Sequence, residues 1–441
     1  MAQQDGATRR MHALEHAVDA RVLIPGSKSL TNRHLVLAAL AEGRSTLQGI
    51  LASDDCDRLR VALSQLGAVF RREGDSWIVD GVGGKPRGGG TIDLGHGGTP
   101  TRFMLAVASL CSEETVVDGS ARMRERPVDE GVEMLVELGA KARFFRIAGA
   151  LPVGMRGPLT GRRIEVHRTA SSQFVSALML IAPAMPNGLE IRFHEPPTSA
   201  SYLELSIDAL RATGVTVGVT RHGVEQRELA SITIPPQAIP AHAALVEPDA
   251  SSAVYFAALA ALVGGQIEIP QLELDGRQPD LFFFRDLAAR GAEVQALQAG
   301  AGGVLIRAPQ GARLRGVDSD YSSAPDAAVM AMVLASCADA PSLLTGLETL
   351  RVKESDRIAS VAAGLRALGG KVDVGPDWVR VHPLPMQCTE AVVQTSQDHR
   401  IAMAFGILGC ARDGVSVADP MVVEKSWPAF WDALGAATGV R

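Results

Sequence analysis

The run Pro25-Gly26-Ser27-Lys28-Ser29-Leu30-Thr31-Asn32-Arg33 carries the sharpest chemical signal in this 441-residue chain. Pro-Gly makes a turn. Ser27 can then cap a helix, which puts Lys28, Ser29 and Arg33 in its first two turns. A cation at a helix N-terminus works against the helix dipole. An anion held between Lys28 and the helix end would remove that conflict, because the unpaired backbone N–H groups there already attract negative charge. The segment is not a P-loop, since the Gly-x4-Gly-Lys spacing is missing. The plain alternative is an ordinary cap followed by a solvated lysine.

The elements that must position such groups recur along the chain. Ala- and Leu-rich helices with polar openings are predicted from Ser27, Gly98, Ser171, Ser251, Pro325 and Asp398. The intervals are roughly 70–80 residues, far longer than solenoid repeats of about 20–50. Each helix becomes almost wholly apolar after its opening, the mark of a buried helix whose N-terminus alone can face a cleft. Second, amphipathic helices ending in Gly follow from Asp54, Arg126, Ser199, Gln278 and Glu354, with short alternating or apolar strands between. Six α/β units suggest two domains of three units each. The alternative is an ordinary α/β protein with convergent Ala-rich helices.

Composition narrows the function class. Hydrophobic residues make up 46% and charged residues 21%, an ordinary globular balance. The formal net charge of −6 argues against a nucleic-acid or membrane-surface protein, but it leaves room for small anionic substrates met by a local cation cluster. The cysteines Cys56, Cys111, Cys337, Cys388 and Cys410 are scattered, with no metal-ligand spacing, so reduced thiols in a cytoplasmic protein are expected. Residues 1–20 show no signal-peptide pattern, and no apolar run is long enough to span a membrane.

Further motifs occur in fixed order: Gly98-Thr99-Pro100-Thr101-Arg102, Arg122-Met123-Arg124-Glu125-Arg126-Pro127, Ser171-Ser172-Gln173-Phe174, Asp249-Ala250-Ser251-Ser252-Ala253, Pro325-Asp326-Ala327-Ala328, Val352-Lys353-Glu354-Ser355-Asp356-Arg357, Asp398-His399-Arg400-Ile401-Ala402-Met403 and Lys425-Ser426-Trp427-Pro428. Together with residues 25–33 they resemble the EPSP synthase family along essentially the whole chain. That resemblance implies transfer of the enolpyruvyl group of phosphoenolpyruvate to the 5-hydroxyl of shikimate 3-phosphate, in the pathway to chorismate and the aromatic amino acids. It implies no cofactor and no metal, a cytoplasmic monomer, and glyphosate as a possible inhibitor.

The implied fold is α/β (α+β), a two-domain inverse α/β barrel. One domain spans 27–246 and mainly binds shikimate 3-phosphate. The other, 1–26 plus 247–441, closes on phosphoenolpyruvate. By resemblance, Lys28, Gly98, Arg122, Gln173, Arg357, Arg400 and Lys425 surround phosphoenolpyruvate. Lys28, Ser29, Arg33, Ser171, Ser172, Gln173, Ser199, Tyr202, Asp326 and Lys353 hold shikimate 3-phosphate. Arg124 and Arg126 are expected to be supporting or structural.

The substrates bring two phosphates and two carboxylates. Opposite charges about 4 Å apart attract by roughly 4 kcal/mol at an effective dielectric near 20, so a cluster of Lys and Arg binds them despite the negative total. Addition followed by elimination needs a base at the hydroxyl, an acid/base at C3 of phosphoenolpyruvate and cations on the leaving phosphate. Asp326 is the candidate base, unless it is simply the cap of its own helix. Glu354 is the candidate at C3, and Lys28 and Lys425 serve proton transfer and the leaving group. Three positions depart from the family pattern: His96, Pro100 and Thr349. They put glyphosate sensitivity in doubt. The related transferase acting on UDP-N-acetylglucosamine has a catalytic Cys just before an Arg-Pro-Val-Asp run; Gly119–Arg124 contains none.

Overall fold

The computed structural model describes residues 8–167, 169, 171–223, 228–298 and 302–440. Residues 1–7 of the segment expected to join the second domain lie outside them. Contacts divide the chain into two units, Gly26–Val246 and the paired segments Met1–Pro25 and Glu247–Arg441.

Each unit is built from three small sheets on one plan. In unit Gly26–Val246, Ala243–Leu245 pairs in parallel with Arg44–Gln48, which continues antiparallel to Ser76–Asp80 and then Val69–Glu73. The order Thr91–Asp93, Thr115–Asp118, Val153–Arg156, Lys141–Phe144 repeats that pattern. So does Arg163–Val166, Leu189–Phe193, Glu228–Ile234, Gly218–His222. In the other unit, Val18–Arg21 pairs in parallel with Gly265–Pro270, followed by Gly303–Ala308 and Glu293–Leu297. The next sheet runs Ser319–Asp320, Ser342–Thr345, Val379–Val381, Val372–Val374. The last joins Ala391–Val393 in parallel to Val415–Ala418, which pairs antiparallel with Thr8–Arg10. The parallel strand of each sheet arrives after a helix, as a parallel pairing requires.

The apolar first helices form the cores. Every residue of Ala328–Ala335 is buried, and in Ala250–Val263 only Ser251 and Leu262 are not. Leu35, Phe103 and Leu178 belong to one core, and Phe256, Met330 and Phe405 to the other. Full burial of such a side chain is worth about 1.5–3 kcal/mol. The small residues have a packing role: a Cβ on Gly406 would lie 2.8 Å from the Trp431 ring.

Several helix starts fall where the sequence places them. Ser27 precedes Lys28–Leu40, Ser171 caps Ser172–Ile181 and Asp398 caps His399–Ala411. Others differ. The helix expected from Pro325 begins at Ala328 with Ala327 as N-cap, so Asp326 is not its cap. The helix expected from Arg126 begins at Asp129 and ends at Glu137, after a separate short helix Ala121–Glu125. Pro127 explains the break, since the residue before proline is driven out of helical conformation. The helix expected from Glu354 starts at Arg357 with Asp356 as its cap, leaving Glu354 in the loop ahead of it. No helix among the described residues is long and apolar enough to cross a membrane.

Candidate active site

In unit Glu247–Arg441, helix starts and loops bring together charges far apart in sequence. Arg357, 1% exposed, is the hub. Its Nε donates to Asp398 Oδ2, Nη1 to Asp326 Oδ1 and Nη2 to Glu354 Oε2, each at 2.8 Å. Arg400 Nη2 donates to Asp326 Oδ2 at 2.7 Å, Lys353 Nζ lies 3.8 Å from Asp326 Oδ1, and Lys425 Nζ donates to Glu354 Oε1 at 3.1 Å. Asp326 and Glu354 are thus each held between different cations on their two oxygens.

Burial alone would raise the Asp326 carboxyl, but Arg400, Lys353 and Arg357 outweigh it and hold it well below the usual carboxylate range. Burial likewise weakens the Arg357 cation, yet Asp398, Glu354 and Asp326 more than offset it and push its pKa up. Lys353 shifts the other way: burial lowers its pKa, only partly opposed by Asp326.

Asp398 has a double task, cap and ion-pair anchor, of which the sequence shows only the first. Its side chain, fully buried, accepts the Arg400 backbone N–H at 3.0 Å as helix cap, takes the Ser355 hydroxyl at 3.1 Å and anchors Arg357. Its position in Asp-His-Arg signals the cap; nothing local signals the ion pair.

In unit Gly26–Val246, Lys28 opens its helix and its Nζ lies 3.5 Å from Asp55 Oδ2, contributed by the first turn of Asp54–Gln65. Asp55 offsets the clash between Lys28 and the helix dipole, and it was not among the expected residues. Arg33 is 3% exposed and turned inward. It donates to Ser206 Oγ at 2.9 Å, to the Ser29 carbonyl at 2.8 Å, to Ser176 Oγ at 3.3 Å and to the Tyr202 carbonyl at 2.8 Å. Four of its donors are therefore spent inside the unit, tying the half-buried Ser29 and Tyr202 to one frame.

The three arginines of the 122–126 run separate. Arg122 is exposed and pairs with Glu125 at 2.7 Å. Arg124 grips both oxygens of Asp118 at 2.8 and 2.6 Å. Arg126 is 8% exposed; its Nη1 reaches Met123 Sδ at 3.9 Å and its Nε has no hydrogen-bond partner among the described residues. Arg122, expected around phosphoenolpyruvate, stands on the short Ala121–Glu125 helix, whereas Arg126, beyond it at the Arg-Pro step, is buried. A Cβ on Gly98 would lie 2.6 Å from Arg126 Nη1 and 3.2 Å from Arg102 Nη1. Glycine here lets two guanidinium groups approach the start of Gly98–Ala108, where N–H groups and cations converge on one spot.

Near this place, Ser171 accepts the Gln173 N–H at 3.3 Å, Ser172 is buried, and Gln173 Oε1 is buried without a partner among the described residues. Ser199 precedes Ala200–Ala212 in left-handed conformation, φ 50°, uncommon outside glycine. His96 is exposed, with Nδ1 3.0 Å from Ser120 Oγ. Thr349 Oγ1 is buried and has no partner among the described residues. Burial pushes the Cys111 thiol up to about 11 and raises Cys337, which makes both inert at neutral pH. The described residues contain no group of three or more His, Cys, Asp or Glu able to hold a metal ion.

Comparison with known proteins places the chain among relatives. Residues 14–434 match the family described as EPSP synthase (3-phosphoshikimate 1-carboxyvinyltransferase). A protein of Methanosphaerula palustris named 3-phosphoshikimate 1-carboxyvinyltransferase is 37% identical over 423 residues, covering 95% of this chain and 97% of that protein. One of Shewanella amazonensis with the same name is 34% identical over 422 residues, covering 94% and 95%. Among solved structures, EPSP synthase from Acinetobacter baumannii superposes with TM-score 0.79 at 22% identity over 98% of each chain. The enolpyruvyl transferase NikO from Streptomyces tendae does so with TM-score 0.73 at 17% identity, again over 98% of each, which shows a shared fold. The chain belongs to the EPSP synthase family.

Proposed function

We propose that the protein transfers the enolpyruvyl group of phosphoenolpyruvate to the 5-hydroxyl of shikimate 3-phosphate, giving 5-enolpyruvylshikimate 3-phosphate and phosphate by addition and elimination. The observation that carries this reading is the pair Asp326 and Glu354, each a carboxylate gripped on both oxygens by different cations. Asp326 accepts the proton of the 5-hydroxyl as its oxygen attacks C2 of phosphoenolpyruvate. Glu354, with Lys425 beside it, gives a proton to C3 and then removes one, as the C2–O bond to phosphate breaks. The cations that depress Asp326 also make it a weak base. Substrate anions that take over Arg400 and Lys353 relieve that depression, so binding itself makes Asp326 more basic.

In this reading Lys28, Gly98, Gln173, Arg357, Arg400 and Lys425 serve phosphoenolpyruvate. Arg122 serves it as well, and the buried Arg126 supports the start of Gly98–Ala108. Ser29, Ser171, Ser172, Ser199, Tyr202, Asp326 and Lys353, with Lys28 and Gln173, serve shikimate 3-phosphate. Arg33 acts by orienting Ser29 and Tyr202. Glyphosate competes with phosphoenolpyruvate, and the enzyme works as a cytoplasmic monomer.

The test is release of inorganic phosphate from phosphoenolpyruvate. Release that requires shikimate 3-phosphate, and fails with UDP-N-acetylglucosamine, supports the proposal. Near-normal turnover of both Asp326→Ala and Glu354→Gln would sink the residue roles. Adding glyphosate and measuring the sedimentation coefficient decide the inhibitor and the monomer.

A further inference from the structure

Asp280 has no part in the chemistry above, yet it is 1% exposed and built into the surroundings of Asp326. It lies in the short turn Pro279–Leu281 ahead of the Phe282–Ala289 helix. Its Oδ1 accepts the backbone N–H of Ala327 at 3.1 Å, and its Oδ2 accepts the hydroxyl of Ser251. Ala327 follows Asp326 directly and precedes Ala328–Ala335, a helix with no side-chain cap of its own. Asp280 therefore supplies, from a distant segment, the capping acceptor that the helix lacks. The same bond pins the peptide next to Asp326. The charged and titratable groups acting on Asp280 are Asp326 and Asp249 with like charge, Arg400 with opposite charge, and the buried phenol of Tyr321; Ser251 is its hydroxyl donor.

We propose that Asp280 is a positioning residue for Asp326: its ionised carboxylate clamps the Ala327 N–H and, as a neighbouring like charge, offsets part of the pull of Arg400, Lys353 and Arg357 on Asp326. The inference rests on reading Asp326 as the base at the 5-hydroxyl. A base surrounded by three cations holds a proton poorly, and a buried like charge restores some of its proton affinity. The coupling is mutual. Burial first, and then Asp326, push Asp280 up to about 6. As pH falls through that value Asp280 gains a proton and loses its charge, so its support for Asp326 is present above about pH 6 and fades below it.

The experiment follows phosphate release by the full-length enzyme from pH 5 to 8.5 with both substrates. Asp280→Asn keeps an oxygen for Ala327 and removes the charge. It is expected to lower kcat about tenfold with KM for both substrates little changed, as for a base weakened by about one pKa unit. It also flattens the acid limb of the kcat profile relative to wild type. The substrate phosphates titrate in the same range, but identically for both proteins. Asp280→Glu, which keeps the charge, restores the limb. Ser251→Ala removes a hydrogen bond that favours ionised Asp280, so it moves the limb to higher pH and serves as a test even if Asp280→Asn does not fold. Wild-type kcat and an unmoved limb in every folded variant would overturn the proposal. Asp326→Ala separates the two readings: if it keeps turnover, the role of Asp326 fails; if it loses turnover while the Asp280 and Ser251 variants behave as wild type, only this inference fails.

Discussion

Arg122, Arg124 and Arg126 meet three environments within one short run: a pair with Glu125 at the surface, a two-pronged grip on Asp118, and a buried place beside Gly98. A charge-assisted hydrogen bond is worth about 1.5–3 kcal/mol. Arg122→Ala is therefore expected to raise the KM for phosphoenolpyruvate roughly 10–100-fold, whereas Arg124→Ala, which removes only the partly exposed pair with Asp118, leaves steady-state phosphate-release kinetics within about threefold. A second residue-scale prediction concerns His34, buried near His242. Burial first, then His242 and Arg33, push it down to about 4. The unfolded chain, with an ordinary histidine near 6.5, binds the proton more tightly, so stability is full above about pH 6.5 and falls as pH drops toward 4. The loss is on the order of 3 kcal/mol at pH 4. Thermal melts of wild type and His34→Gln at pH 7.5 and 4.5 check this: the wild type should lose more Tm on acidification. An equal loss in both would assign the acid sensitivity elsewhere.

At the scale of elements, local patterns mark the helices and their caps, while long-range contacts decide what the loops ahead of them do. Ser171 and Asp398 are caps legible from type and position. Asp326 and Glu354 are not caps: Asp326 pairs with Lys353, Arg357 and Arg400, 27, 31 and 74 residues along the chain, and Glu354 with Lys425, 71 residues along, as well as with the nearby Arg357. A structural counterpart lies in the Phe282–Ala289 helix. Asp286 receives Arg290 Nε at 2.8 Å, the Tyr321 hydroxyl at 2.9 Å and the Ser319 hydroxyl, and Arg290 is fully buried. Asp286→Ala leaves that cation unpaired in the core. The expected cost is about 3–5 kcal/mol, read as a lower midpoint in chemical denaturation. A shift below about 1 kcal/mol would mean that water reaches Arg290.

At the scale of the whole molecule, the segment before Pro25 belongs by its contacts with Glu247–Arg441, so one unit is assembled from both ends of the chain. Val18–Arg21 completes one of its sheets and Thr8–Arg10 another. Deleting residues 1–21 removes both strands, leaving Gly265–Pro270 and Val415–Ala418 with unpaired edges. The expected result in limited proteolysis is rapid cleavage within 247–441 and survival of a fragment covering 26–246. Uniform resistance of the truncated protein would show that the two strands are dispensable.

The sequence by itself determined the family, through motifs in fixed order, together with the buried helices and several of their caps. These are properties of residue type and spacing, so they can be read locally. The tertiary structure alone decided that Arg126 rather than Arg122 is the buried guanidinium, that Arg33 turns inward, and that Asp326 pairs with Arg357 and Arg400 instead of capping its helix. Burial and ion pairing depend on which distant residues arrive at the same place. A side chain's type limits what it can do there, but its neighbours settle which of those things it does.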